Sequence, residues 1–331
     1  TLLYTGDGTS THAITGNGFK PDMVWQKSRS QTHDHFFMDS NRGATLYLKG
    51  SIDSPIGEVN AANFLKSFDT DGVTVGDDGV INNNTSTYAM WNWKANGGTT
   101  ATDSNGDITS TVQVNSDAGF SIVTFTGDGT NGSTIGHGLA GNPGWILIKD
   151  RDTNSVGHWM VWHQGFADLD NNLFLNLTNS LNNAGFPSGN PNTSTFVSAV
   201  KDYNNVSGND YVAYIWKEIE GYSKFGKYKG NGGADGPFIY TGFTPAWVMI
   251  KNTARSADFR ISDIARQPTN DDGGHILLAS SNAAEVTSEY DIDFVSNGFK
   301  LKSGDVYENA DGESHIFMAF AQNPFKLTNA N

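Results

Sequence analysis

The sequence predicts an all-β protein: three tandem, internally related, β-sandwich-like units of about 100 residues each, with very little helix. Three observations carry this reading. The chain holds 38 Gly in 331 residues and is rich in Asn, Ser and Thr, a composition of short strands and tight turns rather than helices. A strand-then-turn phrase, "LLYTGDGTS" at Leu2, returns as "IVTFTGDGTNGS" at Ile122 and as "KYKGNGGADG" at Lys227. Each phrase is followed by a Pro-initiated apolar strand ending in Lys: "PDMVWQK" at Pro21, "PGWILIK" at Pro143 and "PAWVMIK" at Pro245.

The intervals between landmarks agree. From Gly6 to Pro21, Gly127 to Pro143 and Gly230 to Pro245 there are 15, 16 and 15 residues. A third strand closes each unit, "YAMWNWK" at Tyr88, "YVAYIWK" at Tyr211 and "IFMAFAQ" at Ile316. A period this long exceeds that of solenoid repeats and propeller blades, and suits a small sandwich.

Within the first unit the alternation of apolar runs with Gly, Asn and Asp clusters places strands near Leu2–Thr5, Met23–Lys27, His35–Met38, Thr45–Lys49, Gly72–Val75 and Tyr88–Trp93. Pro suits the first position of a strand, where it owes no N–H to the ladder. In "WILIK" and "YVAYIWK" both faces are apolar, so these strands are covered on both sides. Lys27, Lys149 and Lys251 are expected to lay their stems on apolar surface and carry the ammonium to water. Helix is expected only in "NAANFLKSF" from Asn60 and, more weakly, in "ISDIAR" from Ile261. The polar stretch after Lys94 divides the chain into unit one (1–96), a linker or long loop (97–119), unit two (120–227) and unit three (228–331). The short connection after Trp216 predicts that unit three packs on unit two, with unit one more independent.

Formal net charge is −14, which disfavours a nucleic acid or an anionic membrane surface as partner. Much of the acid is Asp in turns, where the carboxylate accepts local N–H groups. The absence of Cys removes disulfides, thiolate metal sites and a thiol nucleophile. No apolar run is long enough for a bilayer, and the opening residues lack the layout of a signal peptide. The initial Thr is expected to follow a removed Met or to continue a longer chain.

No G-x-S-x-G, S-x-x-K, H-E-x-x-H, phosphate loop or dinucleotide fingerprint is present. Glu218 and Glu220 in "WKEIEG" would share a face, roughly 6.5–7 Å apart, if the strand ran on through them, between the carboxyl spacings expected for retaining and inverting glycosidases. They read more simply as solvated carboxylates beside Lys217 and Lys224. His33 and His35 stand at strand spacing for Zn²⁺, without an identifiable third ligand. The "DTDGVTVGDDG" stretch from Asp69 lacks full Ca²⁺-loop spacing and is explained by turns. No metal or cofactor is therefore expected. In "GHWMVWHQG", His158, Met160 and Trp162 alternate with Trp159, Val161 and His163. In a simple two-layer sandwich one of the two Trp is exposed, so Trp159, Trp162, His158 and His163 form the candidate ligand or interface surface.

The run "EIEGYSKFGKYKGNGGADGPFIYTGFTPAWVMIKNT", with "SNGFKL" and "IFMAFAQNPFK" near the end, resembles a domain recurrent in virion proteins of marine bacteriophages, especially tail-fibre-like and other appendage proteins. The resemblance implies a non-enzymatic structural protein of a phage particle, oligomeric, displayed on the particle surface and engaged in host recognition. Its implied partners are other virion proteins, further copies of itself and a host-surface glycan or protein. A capsid decoration or connector is the alternative, and a polysaccharide depolymerase a more distant one.

Overall fold

The structure, a computed structural model, describes residues 1–50, 57–152, 157–166, 171–181, 189–198, 204–270, 274–288 and 292–323. Its strands fall into three successive sectors. The first holds β1 (Leu2–Thr5), β2 (His12–Thr15), β3 (Met23–Ser28), β4 (Phe36–Asp39), β5 (Leu46–Lys49), β6 (Val59–Asn60), β7 (Leu65–Asp69), β8 (Gly72–Val75) and β9 (Thr87–Trp93). The second holds β10 (Ala101–Asp103), β11 (Ser110–Asn115), β12 (Phe120–Thr126), β13 (Thr134–Gly136), β14 (Trp145–Asp150), β15 (Met160–His163), β16 (Leu173–Phe174), β17 (Thr195–Val197) and β18 (Asp210–Trp216). The third holds β19 (Ser223–Lys229), β20 (Phe238–Tyr240), β21 (Pro245–Asn252), β22 (Arg260–Asp263), β23 (Gly274–Leu278), β24 (Val286–Ser288), β25 (Ile292–Val295), β26 (Gly298–Leu301) and β27 (Ser314–Ala321). Two single-turn helices, α1 (Gly79–Asn82) and α2 (Val306–Asn309), precede the last strands of sectors one and three.

One strand order recurs. The large antiparallel sheets run β1-β9-β3-β4-β5-β6, β12-β18-β14-β15-β16 with β11 and β10 added beyond β12, and β19-β27-β21-β22-β23-β24. In each, the strand of the opening phrase lies beside the closing strand, which lies beside the Pro-to-Lys strand. Smaller sheets, β2-β8-β7, β13-β17 and β20-β26-β25, back them. The predicted strands of the first unit are found within one residue of their expected ends.

The recurring phrase has a local cause. Gly6 and Gly230 run so close to the closing-strand approach that a Cβ would lie 2.2 Å from the carbonyl oxygens of Asn83 and Ala310. The next residue is then held by a buried Asn. Asn82 Oδ1 accepts the Asp7 N–H at 3.0 Å, Asn205 Oδ1 the Asp128 N–H at 3.0 Å and Asn309 Oδ1 the Asn231 N–H at 2.8 Å. Their Nδ2 groups donate back to the same turns, to Asp7 Oδ1, Asp128 Oδ1 and Asn231 Oδ1. A turn of Gly-Asx-Gly is thus written wherever the end of the opening-phrase strand must be clasped to the approach of the closing strand.

Packing places each large sheet between two cores. One face meets the small sheet of its own sector, giving three separate clusters around Val24 and Phe64, Ile146 and Phe196, and Val248 and Phe299. The other face joins a central cluster drawn from all three sectors, including Trp25, Trp91, Trp93, Trp145, Tyr214, Trp216, Trp247 and Phe320. The equivalent ends of the three closing strands meet there: Trp93 lies 5.6 Å from the Trp216 ring and 5.6 Å from Phe320.

Contacts between sectors repeat in one rotational sense. Arg29 of the first sector pairs with Glu285 of the third at 2.8 Å, and Arg151 of the second pairs with Glu58 of the first at 2.8 Å. The Arg29 and Arg151 carbonyls accept the N–H of Glu285 and Glu58, and the Thr253 carbonyl accepts that of Leu181. Deeper in, Trp91 Nε1 donates to Asp263 at 3.0 Å and the Tyr214 hydroxyl to Asp39 at 2.7 Å. The third boundary carries Met318 and His163 at the corresponding positions, so its polar pair is absent.

Several expectations are corrected. The stretch 97–119, expected as a linker, carries β10 and β11, and Gln113 on β11 donates to Asp22 at 2.9 Å, tying the second sheet to the first sector. The first sector does not stand apart, because the central cluster draws on it together with the other two. "NAANFLKSF" folds as the end of β6, a turn and most of β7, and "ISDIAR" as most of β22 and a turn, because both segments are paired into sheets by neighbouring strands. Lys27, Lys149 and Lys251 do not reach water. They are at most 1% exposed and cap backbone carbonyls, among them those of Ser28, Asp150 and Ala257 at 2.7, 2.7 and 2.6 Å. Burial lowers each from its ordinary value to about 8.

Candidate binding surface

The residues singled out in the sequence lie inside the molecule. Trp159 is 1% exposed and Trp162 5%. The reason is the third layer: β15 has its own sector's small sheet on one side and a neighbouring sector on the other. Trp162 joins the second sector's inner cluster, while Trp159 crosses the boundary and donates its indole N–H to the Lys49 carbonyl at 2.7 Å. His163 is fully buried, its Nδ1 accepting the Gly165 N–H at 2.8 Å and its ring set edge-on to Trp145. Desolvation drives it down to about 3. His158 bonds Asn176 through Nδ1 at 2.9 Å, beside Phe174. The exposed aromatic expected on this strand is absent, and two of the four residues serve a boundary within the chain.

The other candidates are brought to no common point. Both ring nitrogens of His35 are engaged, Nδ1 by the Trp25 indole at 2.8 Å and Nε2 by the Leu278 carbonyl at 2.9 Å. β18 stops at Trp216, so Glu218 and Glu220 do not share a strand face; Glu218 pairs with Lys224 at 2.6 Å. Asp69 accepts from Ser67 and Thr74, as a turn carboxylate does. Among the described residues no group of three or more His, Asp or Glu is placed to hold a metal ion, and no helix is long and apolar enough to cross a membrane. An open hollow of about 480 Å³ is lined by Asp103, Leu139, Thr193 and Ser194, but its carboxylate is committed to the N–H groups of Asn105 and Gly138.

Exposed aromatic surface lies elsewhere, on the small sheet of the third sector. In β20 the middle residue, Ile239, is buried, and alternation turns Phe238 and Tyr240 outward, 47% and 64% exposed. Two strand residues separate them by about 7 Å. Across the sheet Phe238 pairs with Lys300, itself opposite Asp293, and Tyr240 pairs with Gly298. Gly298 lets the strands and the ring close up: a Cβ there would come within 2.1 Å of the Ile239 carbonyl oxygen and 2.9 Å of the Phe238 ring. The Tyr240 ring in turn lies over Gly242, whose φ of +89° suits glycine. Around the rings the charges are paired, Lys300 with Asp235 at 2.7 Å and Lys302 with Asp293 at 3.3 Å. The Lys300 ammonium holds the Asp235 carboxyl below its ordinary value.

The same face differs in the other sectors. β2 pairs with β8 in the same register, Thr15 opposite Gly72 as Tyr240 is opposite Gly298, so Ala13 and Thr15 stand where Phe238 and Tyr240 stand. In the second sector β13 offers Thr134 and Gly136. The signal was present in the sequence as "FIY" ahead of "NGFK", but an alternating apolar triplet reads as core until the sheet shows which face is uncovered.

A search of curated proteins finds no match. Among solved structures the chain is similar to the conserved protein of unknown function PA5104 from Pseudomonas aeruginosa PAO1, at 11% identity over 69% of this chain and 92% of that one. The TM-score is 0.17, so this likeness does not bear on the fold. The profile of one family extends over residues 1–324, nearly the whole described length and all three sectors, and the chain therefore belongs to the domain-of-unknown-function family DUF7483.

Proposed function

We propose that this protein is a non-enzymatic structural component of a bacteriophage particle, of tail-fibre or appendage type, that recognises the host surface. The observation that carries the reading is the exposed Phe238–Tyr240 pair on the third sector's small sheet, at positions that Ala13 and Thr15 fill in the matching sheet of the first sector. A face that only had to be soluble would resemble the Ala13 and Thr15 face; two uncovered rings side by side on one strand favour contact with something outside the chain. The resemblance of the stretch around Gly221 to Lys251 to marine phage appendage proteins supports the particle. The scaffold supports it too, since three sheets locked on one core hold the face rigid.

Two measurements test this. Purified protein is expected to bind marine bacterial or cyanobacterial host cells and to compete with phage adsorption, and antibody labelling is expected on an appendage of the particle. Protein that neither binds cells nor delays adsorption, or label spread evenly over the capsid, refutes the recognition role; the second result favours a decoration protein.

A further inference from the structure

We infer that the Phe238–Tyr240 platform binds a neutral hexopyranose chain, an inference that rests on the host-surface reading above and names its ligand class. Area, shape and charge point to this ligand. Aromatic side chains of about 200 Å², exposed by 47% and 64%, offer about 200 Å² of ring surface, far short of the roughly 800 Å² that a stable protein partner covers. One or two sugar rings fit that area. Shape agrees: the Phe238 ring lies against Gly298, where a Cβ would come within 2.9 Å of it, and the Tyr240 ring lies over Gly242, so both rings rest on glycine with their outer faces open, and a pyranose presents an apolar C–H face to such rings. The polar groups beside the rings are hydrogen-bonding partners for hydroxyls. Asp235 is 92% exposed at its side chain and keeps acceptor capacity beyond its Lys300 contact. Charge then selects among glycans. Both nearby lysines are already matched by Asp235 and Asp293, and the chain carries −14 overall, so an acidic polysaccharide finds no uncompensated cation and a repulsive background.

Affinity electrophoresis of the full chain in gels containing β-glucan, galactan, mannan or alginate tests the inference. The wild type is expected to be retarded by at least one of the three neutral polymers and not by alginate. Phe238→Ala with Tyr240→Ala is expected to weaken retardation at least 10-fold with an unchanged circular dichroism spectrum. A second pair, Phe238→Leu with Tyr240→Leu, keeps apolar area on the strand but removes the ring faces, and is expected to weaken it equally. Retention of binding by the Leu pair overturns ring stacking, and retardation by alginate alone, or by no polymer, overturns the neutral glycan. Cell binding measured in parallel separates the two readings: loss of cell binding in the Leu pair without any neutral-polymer retardation in the wild type sinks the ligand class and leaves host recognition standing, whereas undiminished cell binding in that pair removes the platform from both.

Discussion

Asn309→Ala tests the clasp that explains the repeated phrase. Asn309 is fully buried. Its Oδ1 accepts the Asn231 N–H at 2.8 Å, and its Nδ2 lies 3.0, 2.9 and 2.9 Å from Asn231 Oδ1, the Gly233 carbonyl and the Ser303 carbonyl. An amide has two hydrogens, so these three acceptors share two bonds, and the side chain makes about three good hydrogen bonds in all. At a net of about 1 kcal/mol each, with some recovery by water at the half-exposed partners, the substitution is expected to cost about 2–4 kcal/mol. Asn309→Asp keeps the acceptor but aims lone pairs at three oxygens, and is expected to cost at least as much. Urea unfolding followed by tryptophan fluorescence measures the loss, and hydrogen exchange at Asn231 and Gly233 locates it. Asn82→Ala and Asn205→Ala are expected to cost similar amounts, with exchange rising at Asp7 and Asp128 respectively. A change below about 0.5 kcal/mol, or exchange that rises uniformly over the chain, refutes the clasp as the purpose of the Gly-Asx-Gly turn.

Three other outcomes follow from the buried charges. His163 and His315 are held near 3 and 4 by desolvation; the unfolded chain takes up their protons near 6.5, so stability is expected to fall as pH drops from 6.5 toward 4, by about 2–3 kcal/mol per His at pH 4.5, and His163→Phe should flatten urea midpoints over that range. Lys27, Lys149 and Lys251, lowered to about 8, bind fewer protons folded than unfolded between pH 8 and 10, so this group of charges is expected to add stability as pH rises through that window. Lys149→Met should remove part of that rise in thermal midpoints, and buried tyrosines such as Tyr222, raised to about 12, should reverse it above pH 10. Glu58→Gln takes from the buried Arg42 side chain one of its two carboxylates, 2.7 Å away, and from Arg151 its partner across the boundary at 2.8 Å; with Asp39 still facing Arg42 it is expected to cost about 2–3 kcal/mol, read as a lower thermal midpoint, and an unchanged midpoint would show that the boundary between the first two sectors does not depend on the Arg151–Glu58 pair.

Strand positions were legible because backbone geometry imposes period two on side chains where one face is buried, as in β1, and because short continuous apolar runs mark strands covered on both faces, as in β3 and β9. The layer count was not. The doubly apolar β14 and β18 announced cover on both faces, but whether a neighbouring sector supplies that cover is a long-range fact, and Trp159 was misplaced for want of it. β10 and β11 were missed because "ATD" and "STVQVN" belong to an edge whose outward residues are polar. The lysines misled for a related reason: a chain position that reads as a strand end is, in space, the mouth of a seam between two sectors. Phe238 and Tyr240 escaped notice because burial, unlike periodicity, is decided by the other strands of the sheet.

Keeping the three sectors on one polypeptide frees them from having to be identical. A ring of separate subunits must carry any substitution three times over, at every seam and on every outer wall. Here Met318 and His163 stand in place of the donor–acceptor pair at one seam, and among the described residues of the small sheets the exposed rings belong to the third sector's wall. Specialisation of a single wall therefore leaves the shared centre and the two remaining walls untouched.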